Sequence, residues 1–194
     1  MNNKTNNKKP FYIFTSVDGV LYDFDFASRI HTYFMKDIEN PILNKSSIEA
    51  LDFLLSSLEE YYDTKLFITS HRRADLPSCI DYLKSYGFKY DKPIFATPLK
   101  NGTRGKKIIR SMQNDNLHPV QKTKLSTIVI NFFNKIDNNQ KFKNYVVIDC
   151  NPSPRVTKHI PKNHIIKTNF TNASLRMSQV QDFLEKTIYN QPSL

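Results

Sequence analysis

The sequence predicts an α/β protein with a central, mostly parallel sheet and helices on both of its faces. Two observations predict it. Short apolar, β-prone runs alternate with segments of helical periodicity, the pattern of βαβ units. Three of those runs also end in polar clusters, as strands do when their C-terminal ends carry a ligand site.

Phe11 to Val17 (FYIFTSV) is the first buried-strand candidate, followed by the turn-forming Asp18-Gly19. Ser46 to Leu58 carries Ile48, Leu51, Leu54, Leu55 and Leu58 at helical spacing, with Ser46 or Ser47 as the N-cap. Leu66 to Thr69 is a short second strand that ends in Ser70, His71, Arg72 and Arg73. Leu76 to Tyr86 reads as a helix stopped by Gly87. Lys92 to Ala96 makes a third strand, and Thr103 to Met112 a basic helix. Lys122 to Ile136 fits both a helical stripe and a β-branched run, and its length favours a helix. Tyr145 to Ile148, ending at Asp149, is the cleanest strand in the chain. Ile165-Ile166 adds a short strand and Met177 to Ile188 a closing amphipathic helix.

The chain has 194 residues, 39% hydrophobic and 24% charged, which suits one domain with a real core. That domain is expected over 11–190, behind a disordered basic tail over 1–10, with an insertion or extended crossover at 114–144. The tail has no apolar segment behind it and is not read as a secretory signal. No run approaches the roughly 20 apolar residues of a membrane span. With only Cys79 and Cys150, no disulfide framework or cysteine metal set is implied. A soluble, cytoplasmic protein with no membrane partner is expected. The net charge of +10 favours an anionic partner, while a merely solvated lysine-rich surface explains it equally well.

The polar strand ends carry the candidate chemistry. They are Ser16-Val17-Asp18-Gly19, Thr69-Ser70-His71-Arg72 and Asp149-Cys150-Asn151. Acids, hydroxyls and basic groups on one sheet edge are what a phosphate or Mg²⁺-phosphate site requires. The nearby Arg104, Lys106 and Lys107 stand by a helix start, where the macrodipole attracts anions and disfavours basic side chains.

In order and spacing these stretches resemble the haloacid dehalogenase (HAD) superfamily, with its Rossmann-like fold. FYIFTSVDGVLYD is similar to the first HAD motif, KLFITSHRR to the second, and YVVIDCN to the fourth. With SHRR at 70–73, ATP at 96–98 and RGKKI at 104–108, the chain resembles most the HAD domain of Swiss Army Knife RNA repair proteins. The resemblance implies Asp18 as general acid/base and Thr69 as the phosphate-binding hydroxyl, or Ser70 if the register slips by one. It implies Lys106 or Lys107 as the stabilising lysine, with Arg104 a further candidate; of Arg72 and Arg73, which suit bidentate phosphate binding, at most one is expected to face the site. Mg²⁺ would be held by Asp149 and the Asp18 carbonyl, at a site weakened by two departures. A capless or small-capped cleft is implied by the roughly 47 residues between Asp18 and the second strand.

The departures bear on activity. The nucleophile position holds Ser16, which lacks the attacking and metal-binding carboxylate. Cys150 replaces the second acid of the fourth motif, and hard cations prefer oxygen to sulfur. His71 stands where the second motif it resembles carries tryptophan. Losing a covalent nucleophile costs orders of magnitude in rate. Three readings follow. The preferred one is recognition of a phosphorylated small molecule or nucleic-acid end, with weak or absent phosphatase activity. The others are an active Mg²⁺-dependent phosphohydrolase with altered residues, in which Ser16 itself attacks, and a non-catalytic module with a protein partner.

Overall fold

The computed structural model describes residues 8–22, 43–70, 74–97, 144–150, 157, 159–168 and 174–189. Within them run β1 (Pro10–Thr15), α1 (Lys45–Glu59), β2 (Asp63–Ile68), α2 (Leu76–Ser85), β3 (Ile94–Ala96), β4 (Tyr145–Asp149), β5 (Ile165–Lys167) and α3 (Met177–Leu184). A 3-10 turn, Lys162–His164, leads into β5, and a π-helical turn, Glu185–Tyr189, follows α3. The helices expected at 103–112 and 122–136 lie outside the described residues, as do residues 1–7 and all of the 114–144 segment except Asn144.

All five strands are parallel, in the order β3-β2-β1-β4-β5. This is the order of doubly wound sheets and is compatible with a Rossmann-like fold. The chain reverses direction of growth between β1 and β4, and the crevice outside their C-terminal ends is where such sheets bind ligands.

Alternation along the strands gives the sheet two apolar faces. Phe11 and Ile13 of β1, Leu66 and Ile68 of β2, and Val146 and Ile148 of β4 share one core with α1, α2 and α3. On the other face, Phe14, Phe67 and Phe95 stack in register across β1, β2 and β3, with ring centroids 5.0 and 5.1 Å apart. Tyr12, Tyr145, Val147 and Ile160 complete that cluster. Among the described residues all three helices contribute to the first face only.

Several boundaries differ from the sequence reading. Pro10, placed in the tail, opens β1 opposite Asp63, and the Asp63 N–H donates to the Lys9 carbonyl at 2.9 Å. β2 begins three residues before Leu66 because Thr64 is buried, its hydroxyl on Glu59 and its carbonyl accepting from Tyr90. Asn44, not Ser46 or Ser47, caps α1, accepting from the Ser46 N–H at 3.0 Å. Gly87, at φ 87°, ends α2 as expected. No helix among the described residues is long and apolar enough to cross a membrane.

Two predictions follow from the packing. Leu51 is fully buried and Phe53 is 38% exposed on the same helix. Leu51→Ala is expected to lower unfolding free energy by about 2–5 kcal/mol, and Phe53→Ala by about 0.5 kcal/mol or less, as read from urea midpoints. Burial also pushes the Tyr90 and Tyr145 hydroxyls from 10.0 up to about 12. Because their neutral form is the one the fold holds, their contribution is complete below pH 10 and lost as pH rises through about 12. Urea midpoints should fall across that window, and less steeply in the double variant Tyr90→Phe/Tyr145→Phe.

Candidate functional site

Strand register determines what stands at the C-terminal end of the sheet. Ala96, Ile68, Thr15, Ile148 and Ile166 form one row across the five strands. One residue further on, the row becomes polar throughout: Thr97, Thr69, Ser16, Asp149 and Lys167. Asp149 and Lys167 are themselves a ladder pair. The other three are held by ladder bonds that continue past the strand ends. The N–H of Ser16 donates to Ile148 (3.1 Å), that of Thr69 to Thr15 (2.9 Å) and that of Thr97 to Ile68 (3.1 Å). Thr97, Thr69, Ser16 and Asp149 are all buried, and Lys167 at the sheet edge is exposed. Adjacent strands lie about 4.8 Å apart, so this row of five residues spans roughly 19 Å.

Next to it, the chain turns sharply after β1. Gly19 adopts φ 69°, a conformation that a side chain would strain. Every carbonyl from Ser16 to Leu21 accepts a hydrogen bond. Ser16 accepts from the Thr15 hydroxyl (3.0 Å), Val17 from the Leu21 N–H (3.0 Å) and Asp18 from the Cys150 thiol (3.5 Å). Gly19 accepts from the Thr168 hydroxyl (2.8 Å), Val20 from the Leu175 N–H (2.7 Å) and Leu21 from the Asn44 N–H (2.7 Å). Buried backbone is tolerated only under such complete pairing. The Asp18 side chain, half-buried, accepts from the Tyr22 hydroxyl at 2.5 Å, which orients one carboxylate oxygen.

Of the residues expected in the site, Ser16, Asp18, Thr69, Ser70 and Asp149 gather at this edge. Arg72, Arg104, Lys106 and Lys107 lie outside the described residues, as do His71 and Arg73. Sequence reasoning missed Tyr22, Thr97, Lys167 and Thr168. Thr97 and Thr168 carry the same signal that identified Thr69, a hydroxyl directly after a short apolar strand. Their protons are engaged structurally, Thr97 on the Ile68 carbonyl and Thr168 on that of Gly19. Tyr22 had no signal beyond its spacing of four from Asp18. Lys167 was legible only through register.

Among the described residues no group of three His, Cys, Asp or Glu side chains gathers. The Asp18 carbonyl faces a thiol proton, and the Asp18 carboxylate faces a phenol.

Thr168→Val, which keeps the shape but removes the donor, should leave the buried Gly19 carbonyl unpaired and cost about 1–3 kcal/mol. Thr168→Ser should recover most of that loss. Denaturation curves, with amide exchange at Gly19 and Val20, measure both.

Comparison of the chain with protein-family models, with curated proteins and with solved structures finds no match in any of the three.

Proposed function

We propose that the chain is a HAD-type Rossmann-like protein that recognises a phosphorylated ligand, a nucleotide or a nucleic-acid end, with little or no phosphatase activity. The observation that carries this reading is the polar row at the switch point, Thr97, Thr69, Ser16, Asp149 and Lys167, beside a turn that holds Asp18. Hydroxyls suit phosphate oxygens, and the chain's net charge of +10 favours an anionic partner. Serine at position 16 supplies a neutral hydroxyl where aspartyl-phosphate chemistry needs a carboxylate, so binding outlasts turnover.

A second reading, an active phosphohydrolase, draws on the 2.5 Å bond from Tyr22 to Asp18. A carboxylate held in one orientation is suited to acid/base work. The two readings differ in one assay. Calorimetric titration with inorganic phosphate and nucleoside monophosphates is expected to show binding that Thr69→Val weakens by about tenfold, near the loss of one good hydrogen bond. Aryl phosphate hydrolysis is expected to be absent in the native chain and to emerge in Ser16→Asp. Hydrolysis by the native chain that Asp18→Asn abolishes would establish the second reading and overturn the first.

A further inference from the structure

We propose that the groove between α1 and the α2–β3 connection docks a protein partner, which contributes a basic segment with apolar anchors. The groove shares no residue with the polar strand ends and takes a ligand of the opposite charge.

The helix α1 gives the groove one stripe along its whole length, from Lys45 through Glu49, Asp52 and Ser56 to Glu59. At 1.5 Å per residue that stripe is about 20 Å long. Burial falls across it. Ile48 and Leu55 are buried, Asp52 is half-buried, and Glu49, Phe53 and Ser56 are exposed. The facing wall is Tyr86, Gly87, Lys89, Tyr90 and Asp91. It is fixed to the helix by the Lys89 N–H, which donates to both carboxylate oxygens of Asp52 at 3.1 and 3.2 Å. Met177, at the start of α3, also lines the groove, whose volume is about 750 Å³. A small-molecule site buries roughly 70–90% of its ligand. This trough has mostly exposed walls, which suits a segment of another protein lying along α1.

Two observations describe the occupant. Among the described residues the exposed large hydrophobic side chains are Phe53, Tyr61 and Met177, and two of the three line this groove. Above the buried Ile48, Leu55 and Tyr90 they form an apolar patch that a partner's side chains can cover. The second observation is charge. Glu59 is paired with Lys92 at 3.1 Å, which leaves Glu49, Asp52 and Asp91 against Lys45 and Lys89. Glu49 and Asp91 are exposed, and neither side chain has a hydrogen bond or ion pair among the described residues. The lining is therefore acidic on a chain of net charge +10. A surface of matched potential is basic. A second copy of the chain is disfavoured, because two bodies of that charge repel.

The test uses the full chain and a labelled synthetic peptide of leucine and lysine at helical spacing, about 15 residues long to match α1. Binding is read by fluorescence anisotropy at roughly 0.15 M salt, where long-range attraction is screened. The native chain is expected to bind this peptide at least about tenfold more tightly than a counterpart with glutamate for every lysine, although net charge alone favours the acidic one. Phe53→Ala is expected to weaken binding by about tenfold, the scale of a lost aromatic anchor. The double variant Glu49→Lys/Asp91→Lys changes only exposed positions and is expected to weaken it as much. Tyr61→Ser, exposed but outside the groove, is expected to leave binding unchanged. Equal or tighter binding of the acidic peptide overturns the proposal. So does binding of the basic peptide that neither groove variant weakens. Sedimentation that shows a dimer of the native chain, lost in Phe53→Ala, also overturns it by assigning the groove to a second copy.

Discussion

The turn from Ser16 to Leu21 is the constraint on which the rest of the structure depends. It is buried except at Asp18, and buried peptide carbonyls must find donors. The donors come from across the chain: Asn44 at the cap of α1, Cys150 after β4, Thr168 after β5 and Leu175 before α3. The same segments are tied to each other. The Asn44 side-chain amide donates to the Ser174 hydroxyl at 2.9 Å, and the Ser47 hydroxyl to the Leu175 carbonyl at 2.9 Å. The turn therefore docks α1 and α3 onto the end of the sheet while it sets the backbone of Asp18. Folding and site assembly share one set of hydrogen bonds.

This coupling explains where the sequence was readable. Short apolar runs and helical stripes identified all five strands and the three described helices, because burial on two sheet faces and one helix face leaves a periodic trace. The site residues on strand ends were readable for the same reason, since each polar residue interrupts an apolar run. What was not readable depends on partners far along the chain. Asn44, Ser46 and Ser47 are all competent caps. Asn44 takes the role because its own N–H is drawn to Leu21 while Ser47 is drawn to Leu175. The first half of β2, Asp63 to Lys65, has no apolar signal and is held by pairing to Pro10, Phe11 and Tyr12. Lys167 looks like any surface lysine until register puts it beside Asp149.

The electrostatics of the edge differ from those of a site built around a hard cation. A hydroxyl at position 16 and a thiol at position 150 remove two negative charges relative to the family pattern that the motifs resemble. The strand ends retain hydroxyls and two acids, one of them oriented by a phenol. On the function proposed above, such a surface holds an anion rather than attacks it, since attack needs a charged nucleophile and holding needs donors.

The most direct test of the central claim is to follow backbone amide resonances while inorganic phosphate is added. The account predicts shifts concentrated at Ser16, Thr69, Ser70 and Thr97, at the C-terminal ends of β1, β2 and β3. Shifts spread instead over the surface lysines, with those four amides unmoved, would contradict it.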